Sequence, residues 1–195
     1  EEKRNALLAK IKISVKNLIE ILTDVTEINR VDSGKANTNY EDIEVTKFVK
    51  SLIDEVKQAF PERPVISYEQ KVDTLIFKSD KKLLRQIFIN LISNAVKYTP
   101  VNKNVYITLD RLPDLTVFMV SDEGIGIPEE DFSALFEPFM RSKNIGKIKG
   151  TGLGLSILKR AVDLLGGRVD FSSQIDKGST FTVYLPDPFI PTTQD

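Results

Sequence analysis

The residues best suited to chemistry are grouped in three motifs in the second half of the chain. The first contains Asn90, Asn94, Lys97 and Tyr98. Asparagines four residues apart lie on the same face of a helix, and Mg²⁺ prefers oxygen ligands while it keeps several waters. Asn94 is therefore a candidate magnesium ligand, and Lys97 lies one turn further on, where it could reach a phosphate. The alternative is that the two amides only brace neighbouring loops.

The second motif is the sequence DEGIGIP at positions 122–128. Asp122 ends a run of apolar residues that predicts a strand, so its carboxylate can accept a hydrogen bond from an exocyclic amine, such as that of adenine. Gly124 and Gly126 allow the backbone to approach a base closely and to adopt angles that other residues avoid, and Ile127 follows them. On its own this motif also resembles an ordinary Asp-Gly turn.

The third motif is GTGLGL at positions 150–155, directly before a predicted helix. Backbone amides at the positive end of a helix can cradle phosphate, which makes Thr151, Gly152, Leu153 and Gly154 candidate binding residues. The spacing matches neither the P-loop nor the dinucleotide fingerprint. The preceding segment, 141–149, begins with Arg141, is basic and has few large apolar residues. It is typical of a lid that closes over phosphates, although an ordinary exposed loop is the alternative.

Hydrophobic periodicity and turn signals predict how these motifs are positioned. Helices are expected after the cap residues Thr46 and Asp80, after Pro128, and at residues 155–165. Strands are expected around residues 43–45, 65–69, 74–78, 105–111, 115–121, 168–173 and 180–185. Neighbouring strands separated by turns should form hairpins. The expected fold class is α/β, a two-layer sandwich whose mixed, mostly antiparallel sheet is covered on one face by helices.

A long helix at residues 4–31 is expected to precede this sandwich. Its apolar residues alternate at spacings of three and four, which is the heptad seam that a partner helix covers. The alternative is a helix packed on the core of its own domain. The predicted organisation is a helical segment at 1–36, one domain at 37–187 and a tail or linker at 188–195. The first residue is not Met, which we interpret as a segment cut from a longer protein.

Composition narrows the possible chemistry of the 195 residues. The chain has no cysteine, so thiol chemistry is excluded, and without histidine or cysteine the remaining oxygen ligands favour Mg²⁺ or Ca²⁺ over zinc. A net charge of −1 argues against a general polyanion binder, and we expect no nucleic-acid partner. The sequence contains neither a secretory signal pattern nor an apolar run near the roughly 20 residues that a membrane span needs.

With these motifs in this order, the chain resembles the catalytic, ATP-binding domain of sensor histidine kinases. These belong to the GHKL superfamily, with gyrase, mismatch-repair ATPases and the ninety-kilodalton heat-shock chaperones. The resemblance implies a Bergerat-type ATP-binding fold with ATP and Mg²⁺ as ligands. It implies catalytic contributions from Asn90, Lys97 and Arg141, and magnesium ligation by Asn94. The implied nucleotide-binding residues are Asn94, Tyr98, Asp122, Gly124, Gly126, Ile127, Thr151, Gly152, Leu153 and Gly154.

The resemblance also implies partners that the chain itself does not supply. Segment 1–36 resembles the second helix of the family's dimerisation and phosphotransfer hairpin, whereas the phosphoacceptor histidine lies on the first. This chain could therefore act only on a histidine supplied in trans. The implied partners are that histidine-bearing helix, the receiver domain of a response regulator and, in the intact protein, a second copy of the chain. The implied location is the cytoplasmic part of a membrane-bound bacterial sensor.

Three positions depart from related proteins and bear on the activity. Glu123 and Met140 occupy positions often held by Asn and Tyr, and we expect the charge of Glu123 near the pocket to weaken affinity slightly. Hydrolytic relatives usually carry a glutamate where this chain has Asn90, and an amide is a poor general base. Phosphoryl transfer is therefore favoured over hydrolysis. The alternatives are a pseudokinase or dimerisation signalling module and, less favoured, a hydrolytic GHKL ATPase.

Overall fold

A five-stranded sheet forms one layer of the protein. The computed structural model describes residues 38–62, 64–146, 148 and 150–187. The strand order is β2-β4-β5-β7-β6, in which β2 pairs parallel with β4 and every other pair is antiparallel. The mixed, mostly antiparallel sheet predicted from the sequence is confirmed. Its strands are β2 (Val65–Gln70), β4 (Asn104–Leu112), β5 (Leu115–Asp122), β6 (Arg168–Gln174) and β7 (Gly178–Pro186).

The hairpin between β4 and β5 follows directly from its turn residues. Leu112 pairs with Leu115, so the loop is the two residues Pro113 and Asp114. Asp114 adopts a φ of 63°, in the left-handed region that aspartate tolerates better than most residues. The predicted turn is therefore confirmed. Because β5 then runs antiparallel to β4, it brings Asp122 to the edge of the sheet at which β4 begins.

A separate two-stranded sheet is formed by β1 (Tyr40–Glu44) and β3 (Ile76–Asp80), which are antiparallel. The sequence suggested that the strands now numbered β2 and β3 pair as a hairpin, and this was wrong. β2 instead lies parallel to β4, and β3 lies beside β1. Both alternatives satisfy the same local pattern of alternating residues, so the choice between them depends on contacts with distant strands.

Three α-helices form the second layer: α1 (Val45–Ala59), α2 (Lys81–Tyr98) and α3 (Gly154–Leu164). Asp80 caps α2 as predicted, since its Oδ1 accepts from Lys82 N at 2.8 Å and from Leu83 N at 3.1 Å. The predicted cap of α1 was wrong. Glu44 takes that place and accepts from Lys47 N at 3.1 Å, while Thr46 is buried inside the first turn.

The segment after Pro128 forms a 3₁₀ helix, Glu129–Ala134, where the sequence indicated an unspecified helix. Its first turn is acidic, and Asp131 within it is buried. This short element carries the chain from the acidic glycine motif towards the segment that begins at Arg141.

The core lies between the helices and one face of the sheet. Phe88 of α2 is fully buried, and its ring centroid lies 4.3 Å from that of Phe118 on β5. Alternate residues of β4 point into the same core, namely Val105, Ile107 and Leu109. α2 packs against α1, α3 and β5, so it is the central helix of the layer. The two-layer sandwich is confirmed.

Two predicted segments lie outside the described residues: the long helix at 4–31 and the tail at 188–195. Within the part of the chain that the structure describes, no helix is both long and apolar enough to cross a membrane.

Candidate nucleotide site

The C-terminal half of α2 brings its two asparagines to the beginning of α3. Asn90 Nδ2 donates to Gln86 O, one turn earlier, at 2.8 Å, which fixes the orientation of the amide. A Cβ added at Gly154 would lie 2.7 Å from Asn90 Oδ1 and 3.7 Å from Asn94 Nδ2. Gly154 therefore allows the first turn of α3 to approach both amides. The asparagine and glycine motifs, far apart in sequence, meet here as predicted.

The acidic glycine motif is held against the end of α2. Ile125 N donates to Tyr98 O at 3.2 Å. A Cβ at Gly124 would lie 2.6 Å from Tyr98 O and 2.5 Å from Asp122 Oδ1, which is closer than real Cβ atoms come to such atoms. Glycine at this position thus lets the motif pass directly beneath the last turn of the helix. Tyr98 and Asp122 are both half-buried in the resulting cleft.

Asp122 is a desolvated carboxylate whose described partners are backbone amides. Its Oδ1 accepts from Gly124 N at 2.8 Å and from Ser179 N at 3.3 Å. Burial raises the pKa of Asp122 to about 6, and the two amides oppose that rise only in part. Both of these bonds go to Oδ1, which leaves Oδ2 as the oxygen that can accept from a ligand. A carboxylate in such surroundings is well suited to a neutral donor such as an exocyclic amine.

Glu123 is held by hydrogen bonds at the beginning of β4. Its Oε2 accepts from Asn104 N at 2.9 Å and from Asn104 Nδ2 at 3.2 Å, and its Oε1 accepts from Tyr106 OH at 3.3 Å. The amide of Asn104 is the largest cause of a lowered pKa for this carboxyl. Glu123 therefore fastens the motif to the beginning of β4, and the expected effect of its charge on affinity stays a prediction.

The hairpin of β6 and β7 supplies a wall that sequence reasoning missed. Asp176 N donates to Ile125 O at 2.9 Å, and Ile127 N donates to Ser173 Oγ at 2.8 Å. Gly126 has a φ of +68°, and a Cβ there would overlap Gln174 O. Serines in an amphipathic strand carry no local signal of such a role. The sequence predicted only that a turn joins these two strands.

Described residues of the segment that begins at Arg141 bond to the acidic glycine motif and to the 3₁₀ helix after it. Asn144 Nδ2 donates to Gly126 O at 2.9 Å, and the hydroxyl of Ser142 is hydrogen-bonded to the buried Asp131. Arg141 is exposed and its Nη2 donates to Ile148 O at 2.6 Å. The basic segment is thus fastened to the loop that carries Asp122.

Arg141 also acts on the aromatic residue of the cleft. Desolvation raises the pKa of Tyr98, and the positive charge of Arg141 opposes that rise. The hydroxyl of the same tyrosine lies 3.6 Å from where a Cβ of Gly150 would be. The two ends of the basic segment therefore both approach Tyr98.

The glycine motif closes the site at the beginning of α3. Gly152 has a φ of +75°, and a Cβ there would lie 2.8 Å from Met140 O. Thr151 Oγ1 accepts from Leu153 N at 3.2 Å, and Leu153 is fully buried. α3 begins without a side-chain cap, so amides of its first turn can bind an anion. The predicted glycines therefore lie at the beginning of α3, and their role in phosphate binding stays a prediction.

Most of the predicted site residues are brought together by the fold. The contacts above link one cluster, the candidate nucleotide cleft, which contains Asn90, Asn94, Tyr98, Asp122 and the glycines of both motifs. Lys97 is half-buried in the last turn of α2. Ile127 takes part through its backbone, and Arg141 stands at the rim, bonded to its own segment.

The donor set fits a magnesium nucleotide rather than a protein-enclosed metal. Among the residues that the structure describes, no three carboxylate, histidine or cysteine side chains form a group that could hold an ion. The Asn94 amide would be a single protein ligand, and phosphate oxygens and waters would complete the shell that Mg²⁺ prefers.

Comparison with known proteins agrees with this geometry. The family described as "Histidine kinase-, DNA gyrase B-, and HSP90-like ATPase" matches residues 79–188. The circadian input-output histidine kinase CikA of Synechococcus elongatus is 32% identical over 193 residues, which are 95% of this chain and 25% of that protein. The sensor histidine kinase WalK of Bacillus subtilis is 32% identical over 173 residues, which are 87% of this chain and 28% of WalK.

A solved structure shows the same fold. The histidine kinase AdeS of Acinetobacter baumannii superposes with a TM-score of 0.69 at 26% identity, and the match covers 89% of this chain and 80% of AdeS. The chain spans only about a quarter of the length of the two curated relatives. Since the family match covers more than half of the chain, the protein belongs to the histidine kinase-, DNA gyrase B-, and HSP90-like ATPase family, and its relatives within it are sensor histidine kinases.

Proposed function

We propose that this chain binds ATP with Mg²⁺ and presents the γ-phosphoryl group to a histidine on a separate helical hairpin. The single observation that carries the proposal is the convergence at one cleft of three groups: the desolvated Asp122 carboxylate, the Asn94 amide and the uncapped beginning of α3. These suit, in turn, the adenine amine, magnesium and the phosphates.

Adenine recognition is assigned to Asp122. Its ionised carboxylate can accept a hydrogen bond from the exocyclic amine of adenine, whereas the corresponding edge of guanine carries a carbonyl oxygen that cannot donate. When guanine binds, the buried carboxylate would have no donor. The free-energy cost of that unpaired acceptor exceeds the net stabilisation that one hydrogen bond gives, so the site would select adenine. Gly124 lets the backbone of the motif lie directly against Asp122 and Tyr98, since any side chain there would collide with Asp122 Oδ1 and Tyr98 O.

The phosphates are assigned to the other end of the cleft. Amides of the first turn of α3 and the charges of Lys97 and Arg141 favour an anion there. Asn94 would hold Mg²⁺, which neutralises charge on the phosphate oxygens when it is bound. Arg141 donates to Ile148 O in this structure, so it would have to exchange that bond for one to phosphate. Segment 141–149 would then act as the lid, with Gly152 as its hinge.

Phosphoryl transfer needs an acceptor that the sequence lacks, because the chain contains no histidine. In the proposed reaction an imidazole nitrogen bonds to the γ-phosphorus as the β,γ-bridging P–O bond breaks. ADP leaves, and the imidazole proton passes to solvent. The protein contributes position and charge stabilisation rather than covalent chemistry.

We further propose that the phosphoryl group passes to an aspartate of a response-regulator receiver domain. We also propose that the intact protein is a homodimer through segment 1–36.

Hydrolysis is the alternative reaction, and the geometry of Asn90 argues against it. An amide cannot accept a proton from water as a carboxylate does. Asn90 Nδ2 is also bonded to Gln86 O, so the amide is oriented by its own helix. A residue bound in this way braces the site rather than activating a nucleophile.

The test is a calorimetric titration with a non-hydrolysable ATP analogue, with and without Mg²⁺, and with the matching GTP analogue. We expect magnesium-dependent binding that is selective for adenine. Asn94→Ala should remove the magnesium dependence, whereas Asn102→Ala, an exposed asparagine beyond the helix, should not. Asp122→Asn should weaken the selectivity for adenine.

A second stage would add a histidine-bearing helical hairpin and ATP labelled at the γ-phosphate. Transfer of label to the hairpin would establish the kinase. Binding without transfer would support a pseudokinase, and release of inorganic phosphate without the hairpin would support the hydrolytic alternative. Absence of binding at about millimolar analogue, a concentration at which even a weak site of a few kcal/mol fills, would contradict the proposal.

A further inference from the structure

Ser173 joins the hairpin of β6 and β7 to the loop that carries Asp122. Its half-buried Oγ accepts from Ile127 N at 2.8 Å and donates to Gly178 O at 3.0 Å. The same oxygen lies 2.8 Å from Ser179 Oγ. Because the single Ser173 proton is directed at Gly178 O, the hydroxyl of Ser179 is the donor in that last bond. One serine thus makes three hydrogen bonds between two segments.

The loop on one side of Ser173 is the proposed adenine-binding motif. Asp122 stands at its beginning and Ile127 at its end. The segment on the other side also touches the carboxylate, because Ser179 N donates to Asp122 Oδ1 at 3.3 Å. Among the described residues, the hairpin of β6 and β7 bonds to this loop at three points: Ser179 N to Asp122 Oδ1, Asp176 N to Ile125 O and Ile127 N to Ser173 Oγ. The hydroxyl of Ser173 holds the end of the loop that is remote from Asp122.

We propose that Ser173 is a positioning residue for adenine recognition: its hydroxyl fixes the path of the loop from Asp122 to Ile127 and so holds the Asp122 carboxylate in the orientation that meets the base. The proposal rests on the function proposed above. It assigns no direct contact between Ser173 and nucleotide.

Loss of the hydroxyl has a direct physical consequence for the loop. In Ser173→Ala the amide of Ile127 loses the acceptor described for it and the carbonyl of Gly178 loses the Ser173 hydroxyl, and a partly buried backbone group without a partner is costly. The loop would then exchange its present path for others that return these groups to water. Nucleotide binding would have to restore the original path, so the cost of ordering would appear as weaker affinity.

The adjacent serine offers a matched control. Ser172 follows the same strand but is exposed on the opposite face of the sheet, where it pairs across to Thr180. Ser172→Ala removes the same atoms from the same strand without touching the loop. Ser173→Thr restores a hydroxyl, and Ser173→Cys keeps a side chain of similar shape with a much weaker acceptor.

The experiment measures the Kd of each variant for ADP and for a non-hydrolysable ATP analogue, together with the midpoint of urea unfolding without nucleotide. We expect Ser173→Ala to bind both ligands about tenfold more weakly, which corresponds to the loss of about one hydrogen bond. The factor should be the same for both ligands, because the effect acts at the base. Ser172→Ala should bind as the wild type does, Ser173→Thr should recover most of the affinity, and Ser173→Cys should be intermediate.

The outcomes separate this inference from the proposed function. If the wild type binds and Ser173→Ala has an unchanged Kd with only a lowered unfolding midpoint, the serine is merely structural and the inference is overturned alone. A loss confined to the ATP analogue would also overturn it, since that would place the effect at the phosphates. Failure of the wild type to bind either ligand would overturn both. Should Ser173→Ala not fold, the comparison of Ser173→Cys with Ser173→Thr decides in the same way.

Discussion

Protonation of Asp122 should weaken the binding of adenine nucleotides and at the same time stabilise the free protein. Burial raises the pKa of this carboxyl to about 6. Because two backbone amides occupy Oδ1, a proton would sit on Oδ2 and oppose the adenine amine, so the ionised form is the one that binds. About nine tenths of Asp122 is ionised at about pH 7 and about one tenth at about pH 5. The Kd should therefore be about tenfold higher at the lower pH.

The free energy of unfolding should change in the opposite direction. The folded protein binds the Asp122 proton more tightly than the unfolded chain, whose carboxyl has the ordinary pKa of 3.8. Stability therefore falls as the pH rises from about 4 to about 6 and is level above that window. The total cost of holding the ionised carboxylate at neutral pH is at most about 3 kcal/mol. Acidic groups whose pKa is lowered, such as Glu55, contribute stability that is lost only as the pH falls below their ordinary pKa of 4.5. They therefore change the free energy of unfolding little across most of this window.

The assay is calorimetric titration of a non-hydrolysable ATP analogue at several pH values, with urea unfolding of the free protein at the same values. Asp122→Asn removes the titrating group, and its comparison with the wild type cancels the protonation of the nucleotide phosphates. Asp170→Asn, at an exposed aspartate of β6, is the matched control and should keep the wild-type pH dependence.

A Kd that is constant from about pH 8 to about pH 5 would refute the reasoning, because a carboxylate titrating with a pKa of about 6 cannot leave binding unaffected. The same slope of Kd against pH in the wild type and in Asp122→Asn would refute it equally, since the titrating group would then lie elsewhere.

Three further outcomes are expected. Gly126→Ala should lower the free energy of unfolding by about 1–3 kcal/mol, measured in urea, because the residue has a positive φ and its new Cβ would overlap Gln174 O. Gly146→Ala should lower it less, because Gly146 has a φ of 58° but open space for a Cβ. Phe88→Ala should cost about 3–5 kcal/mol in the same measurement, since the ring is fully buried against Phe118. Arg141→Ala should lower the rate of phosphoryl transfer to an added histidine hairpin by about a hundredfold with little change in the Kd of nucleotide, because a charge that acts at the transferring group mainly stabilises the transition state.

Local sequence signals predicted the elements whose stabilising contacts are close in sequence. The cap of α2 is one such case, since Asp80 bonds to amides two and three residues away. The turn at Pro113 and Asp114 is another, because the backbone preferences of those two residues decide it. The predicted cap of α1 was wrong: Glu44 accepts from Lys47 N, whereas Thr46 is buried in the first turn and donates its hydroxyl to Glu44 Oε1.

The pairing of strands could not be predicted from local patterns of residues. The alternation of residues in β2 and β3 is compatible with a hairpin between them, yet β2 is stabilised by β4 and β3 by β1. A strand gains the same kind of backbone hydrogen bonds from any partner, so the choice is made by which faces must be buried together.

By itself the sequence determined which residues could bind a nucleotide, because the capacity to bind belongs to the residue type. Such residues are the asparagines with amide oxygens, a carboxylate at a strand end and glycines before a helix. The tertiary structure alone decided where those groups point. It turned Glu123 towards Asn104, and it brought Ser173 to Ile127 across 46 residues of chain. Hydrogen bonds between segments so far apart depend on the sheet that aligns them, and no local pattern of residues encodes that alignment.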